Sequence, residues 1–173
     1  MISGPAHSGK TSLVASLLQP LCLNGWHVSG ILAEGHWRAG RRSGFTLIDL
    51  GTGRRTPLAD RVDTAHSGAF PYVFDPQGLA AGRHALAAAC CAHVDLVVVD
   101  EVGRLEIGGQ GWSDLLAPLL CGAPRMHLWV VQSAWMEAVC RKWRLSPAHI
   151  VDASDRGARP HLLTLFEKIQ GNL

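Results

Sequence analysis

Two stretches of the chain hold the residue types that phosphate chemistry needs. Gly4-Pro5-Ala6-His7-Ser8-Gly9-Lys10-Thr11 fits G-x-x-x-x-G-K-[ST]. In such a loop successive backbone N–H groups wrap phosphate oxygens, the lysine neutralises them and the hydroxyl binds Mg²⁺. Lys10 and Thr11 would take those last two roles, with Ser12 beside them at the start of the following helix. The second stretch, Leu96-Val97-Val98-Val99-Asp100-Glu101, is an apolar run ending in two acids. It reads as a parallel strand buried on both faces, its carboxylates emerging at the carboxyl edge of the sheet, where open α/β folds bind ligands. Asp100 is then the expected Mg²⁺ ligand, directly or through water, and Glu101 the group that orients and deprotonates an attacking water. The alternative for both is a strand capped by solvated acids; it weighs more for Glu101, because an adjacent acid is often only solvated.

The elements that must position these groups alternate along the chain. A helix is expected from residue 10 to 19 or 23, with Leu13, Leu17, Leu18 and Leu21 on its apolar side and Pro20 bending or ending it. Strands are expected over 26–33 and 44–50, antiparallel across the basic turn 38–43. The polar, Gly/Arg/Asp-rich stretch 51–68 reads as a mobile loop. A helix over 76–93 starts with Asp75 as N-cap and Pro76 at its first position. Beyond the Asp100-Glu101 strand come a helix at 112–120, a strand at 126–131, a helix at 134–143, a short strand at 149–152 and a closing helix at 159–169. Strands and helices at this spacing imply a mostly parallel, three-layer α/β sheet with one antiparallel hairpin.

Composition narrows the partners. The 173 residues are 47% hydrophobic and 17% charged, the balance of a globular domain. A net charge of +2 gives no electrostatic case for nucleic acid, and no aromatic stripe is interleaved with basic residues. His93 and Asp95 break the apolar run before Asp100, so no membrane-spanning segment is expected. The cysteines Cys22, Cys90, Cys91, Cys121 and Cys140 form no C-x-x-C, which suggests reduced thiols in the cytoplasm, mostly as small apolar fillers. Only Met1-Ile2-Ser3 precede Gly4, so no signal peptide fits before the loop; either the first strand is short or the natural start lies upstream.

In these motifs the chain resembles the thermostable nucleoside-triphosphatase family, P-loop NTPases related to the human cancer-related NTPase, in its bacterial branch. The resemblance rests on the phosphate loop and on Asp100-Glu101-Val102-Gly103-Arg104-Leu105-Glu106, where the family carries D-E-I-G-[KR]-[ML]-E. It extends to Ser43-Gly44-Phe45, Leu47-Ile48, the Gly-Thr-Gly-Arg and Pro57-Leu58 segment, Tyr72-Val73-Phe74-Asp75 and Asp155-Arg156. It implies a single P-loop NTPase domain over 1–173 that hydrolyses ATP, GTP and other NTPs to the diphosphate with Mg²⁺ and little base selectivity, with Arg156 beside the nucleotide. Three departures stand out. His7 replaces a loop glycine, Asp155 replaces an asparagine, and the first strand is clipped.

Further candidates carry two readings each. Arg104 either stabilises the transferred phosphoryl group or pairs with Glu106, the pair being favoured. Gln132 and Ser133 either sense the terminal phosphate or attacking water, or are plain strand-end residues. Arg41, Arg42, Arg54 and Arg55 are a lid over phosphate or, preferentially, a solvated face. His7 is a phosphate donor or, preferentially, an inert solvent-facing side chain. Trp112, Trp129, Trp135 and Trp143 are expected in the core or an interface. The functional alternatives to an NTPase are a nucleoside or nucleotide kinase, and a nucleotide-dependent switch with a protein partner in a molybdenum or cofactor pathway.

Overall fold

Successive residues of the apolar run before Asp100 enter opposite cores. Val97 and Val99 pack into one cluster with Ile31, Leu47, Leu58 and Trp129, whereas Leu96 and Val98 join Ile2, Val14, Leu17, Leu128 and Phe166 in the other. A strand buried on both faces needs a helical layer on each.

The computed structural model describes residues 1–62, 71–87, 94–122 and 126–171. In chain order these form β1 (Ile2–Ser3), α1 (Lys10–Leu23), β2 (Val28–Arg38), β3 (Arg41–Asp49), β4 (Arg55–Arg61), β5 (Tyr72–Phe74), α2 (Pro76–Leu86), β6 (Leu96–Val102), α3 (Arg104–Ile107), α4 (Ser113–Cys121), β7 (Met126–Val131), a 3₁₀ turn (Ser133–Trp135), α5 (Met136–Trp143), β8 (Val151–Asp152) and α6 (Ala158–Gln170). One eight-stranded sheet results, in the order β5-β4-β3-β2-β6-β7-β1-β8. The β2–β6, β6–β7, β7–β1 and β1–β8 pairs are parallel, and β2–β3, β3–β4 and β4–β5 antiparallel. Helices α1 and α6 cover one face, and α2, α4 and α5 the other. Among the described residues no helix is long and apolar enough to cross a membrane.

Several expectations need correction. The stretch expected as a loop from 51 carries β4. Its buried Thr56, Leu58 and Ala59 seat it against β3, while the exposed Arg55, Asp60 and Arg61 made it look like a loop in sequence. Residues 63–68 of that stretch lie outside the described residues. The hairpin is longer than expected, since β2 runs to Arg38 and β3 starts at Arg41, leaving Ala39 and Gly40, both at positive φ, as the turn. Helix α2 ends at Leu86 because Ala87 turns extended (ψ 136°), and the remainder expected to 93 lies outside the described residues from 88 onwards. Asp75 does cap α2, its carboxylate accepting from the Gln77 and Gly78 N–H groups. Cys22 and Cys121 are free thiols at the surface rather than apolar fillers.

Candidate active site

The loop from Gly4 to Gly9 connects β1, only two residues long, to α1. Short as it is, β1 is pinned on both sides: the Ala153 N–H donates to the Ser3 carbonyl at 2.8 Å and the Ser133 N–H to the Gly4 carbonyl at 3.0 Å. Gly9 enters α1 with φ 84°, a left-handed angle that costs an L-residue free energy and glycine little. Lys10 is 6% exposed, and its Nζ donates to the Pro5 carbonyl at 2.7 Å and the Gly4 carbonyl at 3.3 Å, which centres the ammonium inside the loop. Ser8 Oγ is buried without a hydrogen-bond partner. An orphaned hydroxyl inside a ring of N–H groups suits an anionic oxygen.

His7 has φ 63°, so the position where the family carries glycine does hold a non-glycine residue in the left-handed region, a strain of about 1–3 kcal/mol. Its ring is exposed but not isolated, lying 5.3 Å from the ring of Trp37 near the far end of β2. The Arg42 guanidinium sits 4.8 Å from the same Trp37 ring. The hairpin therefore reaches the phosphate loop, and Arg42 packs on aromatic rings rather than standing on a solvated face. Arg55 pairs with Glu34.

Asp100 is completely buried, its Oδ2 accepting from the Ala33 N–H and its Oδ1 from the Glu101 N–H, each at 3.0 Å. Burial, with the Glu101 charge adding to it, pushes its carboxyl up to about 7, against the pull of those N–H groups and of the neighbouring Thr11 hydroxyl. A buried carboxyl beside a hydroxyl is a pair of hard oxygen donors, and charge here is tolerated only if neutralised. This fits Mg²⁺ held by one carboxylate, one hydroxyl and the phosphates of a nucleotide. Among the described residues no group of three or more His, Cys, Asp or Glu could hold a metal without such help.

Glu101 is exposed, with φ 61°, and the β6–β7 register slips between Val99 and Val102. The bulge lifts the acid pair out of the ladder, as bulges beside reaction centres do.

Arg104 does not pair with Glu106. The Glu106 carboxyl is 3% exposed and turns back to its own helix start, accepting from the Gly103 N–H at 3.0 Å. Burial, the largest influence, raises it to about 7. Lys142 closes the other side of α3, donating to the Glu106 and Ile107 carbonyls at 2.6 and 2.9 Å. Arg104 is left exposed, lining a cavity of about 660 Å³ that also touches Asp100, Glu101 and Gln132.

On the other flank, Asp152 lies near Gly4, and Lys10 helps hold its carboxyl low, after the larger influence of Ser154. Arg156 is exposed in the next turn, where Asp155 Oδ1 accepts the Gly157 N–H. Thus Gly4 to Ser12, Asp100 and Glu101 converge and Arg104 borders them, while Arg156 stands on the opposite flank. Sequence reading missed the Ala33 N–H, the Trp37 contact and the backbone anchor at Ser133, none of which has a local signature.

A parallel strand feeding a glycine-rich turn and helix, with a buried aspartate from another strand at its mouth, defines a P-loop nucleotide-binding protein of the α/β class. A family model described as NTPase matches residues 1–160, and the chain belongs to that family. It is 32% identical over 113 residues to Nucleoside-triphosphatase THEP1 of Thermococcus kodakarensis, covering 61% of this chain and 60% of that protein. It is 33% identical over 107 residues to the Molybdenum import ATP-binding protein ModC 2 of Bradyrhizobium diazoefficiens, across 61% of this chain and 12% of that one. The human cancer-related nucleoside triphosphatase has the same fold, with TM-score 0.70 and 23% identity over 99% of this chain and 97% of its own.

Proposed function

We propose that this chain is a Mg²⁺-dependent nucleoside-triphosphate phosphohydrolase acting on ATP, GTP and other NTPs, working as a single domain in the cytoplasm. The observation that carries the reading is the fully buried Asp100 carboxyl beside Thr11 at the mouth of the loop that holds Lys10. One continuous sheet supports a single domain, and the exposed thiols of Cys22 and Cys121 support a reducing compartment.

The N–H groups from Gly4 to Thr11 would wrap the phosphates, with Pro5, Ala6, His7 and Ser8 forming the turn, Ser12 the first helical turn, and Lys10 neutralising the charge. Thr11 and Asp100 would hold Mg²⁺, which supplies positive charge to the phosphate oxygens. Glu101 takes a proton from water while the water oxygen bonds to the γ-phosphorus. The bond from that phosphorus to the β–γ bridging oxygen breaks, and the diphosphate leaves with the electron pair. Arg104, free of Glu106, offsets charge on the transferred group. Arg156 contacts the nucleotide from its flank.

Broad base tolerance is part of the proposal, because no base-reading motif such as N-K-x-D lies between residues 152 and 159 and Asp155 is occupied by the Gly157 N–H. Phosphate release from ATP, GTP, CTP and UTP, with Mg²⁺ and with EDTA, tests it. The expected kcat/KM values lie within about ten- to thirtyfold of one another, roughly 1.4–2 kcal/mol, with loss of turnover in EDTA. A thousandfold preference for one base would overturn the tolerance, and absence of phosphate release the hydrolase.

Similarity to a segment of a molybdenum import ATP-binding protein favours one second reading, a nucleotide-dependent switch in a molybdenum pathway. Tenfold or greater stimulation of hydrolysis by a molybdate-transporter ATP-binding subunit would favour it, and an unchanged rate would exclude it.

A further inference from the structure

The cavity of about 660 Å³ beside Asp100 and Glu101 contains no residue of the phosphate loop. Sheet order explains why. Strand β1, which carries the loop, is separated from β2 and the antiparallel strands by β7 and β6, so the loop reaches the acids from the β1 side, whereas much of the cavity wall (Ile31, Ala33, Phe45, Leu58, Tyr72, Phe74) belongs to β2–β5. A triphosphate lying in the loop presents its terminal phosphate to the acids with the leaving diphosphate on the loop side. An acceptor held against the β2–β5 wall would meet that phosphate from the side away from β1, as in-line displacement requires. Hydrolysis requires room for one water, whose share of liquid volume is about 30 Å³, so this space is far larger than the reaction with water needs.

The lining describes an occupant. Phe45 and Tyr72 form an edge-to-face pair with centroids 5.1 Å apart, and Trp112 and Trp135 also line the cavity. Trp112 is fixed by its contact with Gly82, where any Cβ would collide with its ring. The side-chain amides of Gln110 and Gln132 border the same space, and among the described residues neither has an intramolecular partner. Aromatic walls with amides at the edge suit a planar heterocycle that hydrogen-bonds in its own plane. The charged border holds Asp100, Glu101 and Glu106 against Arg104 alone, which disfavours an occupant already carrying phosphate.

We propose that this cavity is a second-substrate site that binds an uncharged nucleoside and presents its hydroxyl to the terminal phosphate, so that the chain transfers phosphate to a nucleoside as well as to water. This rests on the hydrolase reading for the loop and acids. The nucleoside hydroxyl gives its proton to Glu101 and its oxygen bonds to the γ-phosphorus. The bond from that phosphorus to the β–γ bridging oxygen breaks, giving a nucleoside monophosphate and the diphosphate of the donor.

The test uses ATP radiolabelled at the γ-phosphate, Mg²⁺, and adenosine, guanosine, cytidine or thymidine at millimolar concentration, with labelled monophosphate and labelled inorganic phosphate counted separately. Saturable formation of labelled monophosphate from at least one nucleoside is expected. Leu79→Trp, which fills the cavity from α2, is expected to lower the ratio of transfer to hydrolysis at least tenfold. Should that variant fail to fold, the exposed Gln110→Ala is expected to raise the KM for the nucleoside at least fivefold and leave the KM for ATP within twofold. Labelled phosphate with no labelled monophosphate from any of the four overturns the acceptor site and leaves the hydrolase standing. Neither product overturns both, and transfer that is indifferent to both substitutions overturns the assignment to this cavity.

Discussion

His7 of the phosphate loop and Trp37 of the β2–β3 hairpin meet with ring centroids 5.3 Å apart, joining two segments that no hydrogen-bond ladder connects. The contact holds a strained loop residue (φ 63°) against a side chain that is itself 56% exposed. A double-mutant cycle of His7→Ala and Trp37→Ala is expected to give a coupling of about 0.5–1.5 kcal/mol in urea unfolding. Additive effects would mean that the rings touch without stabilising the loop.

Lys10→Ala and Asp100→Ala are each expected to abolish nucleotide turnover, since each removes a charge that must sit on the phosphate–metal cluster. Steady-state phosphate release measures this, with circular dichroism to check the fold. Near-full activity in either variant would mean the site has been put in the wrong place.

Glu101→Gln keeps the size and hydrogen-bonding reach of the side chain and removes its basicity. Binding of an NTP with Mg²⁺ by calorimetry should persist, while hydrolysis falls by about two orders of magnitude or more. Loss of binding together with turnover would make Glu101 a metal ligand or a structural residue instead.

Glu106 ties stability to pH. Its carboxyl titrates near 7 when folded against 4.5 unexposed to the fold, chiefly through burial, so the folded chain binds this proton more tightly than the unfolded chain. The stabilisation is fully present below about pH 4.5 and is lost as pH rises through 7, about 3 kcal/mol in all. Glu106→Gln keeps an acceptor for the Gly103 N–H and cannot ionise. Urea midpoints from pH 4.5 to 8 should therefore decline less in the variant, with the difference opening between about pH 4.5 and 7 and staying constant above that; parallel curves would show that Glu106 is not the titrating group.

Much of the site was legible because its chemistry is written in contiguous residues. Gly4 to Thr11 and Asp100-Glu101 need their neighbours in sequence, and the burial alternation through Val97, Val98 and Val99 follows from a strand covered on both faces. What escaped was long-range. The β4 strand hid behind Arg55, Asp60 and Arg61 because a strand with only one face on the core needs only some of its residues buried. The Arg104–Glu106 pair, plausible by spacing, lost to the Gly103 N–H, which lets a nearly buried carboxyl keep a hydrogen bond close to its own backbone. The aromatic cavity draws on β3, β5, the residue before α4 and the 3₁₀ turn, and no periodicity in one segment could reveal it.

Strand β2 is a seam. On one side it runs parallel to β6, so closely that a Cβ at Gly30 would collide with the Val98 carbonyl; on the other it starts the antiparallel β3–β5. Beyond that seam, among the described residues, no side chain hydrogen-bonds Lys10 or Asp100, and the seam strand itself reaches back to the loop through the Trp37 side chain. Redrawing β3, β4 and β5 would therefore change what the molecule admits while the phosphate machinery stays as it is. For protein engineering this makes the hairpin half an exchangeable fixture, recut by loop and edge-strand grafting, on a constant engine.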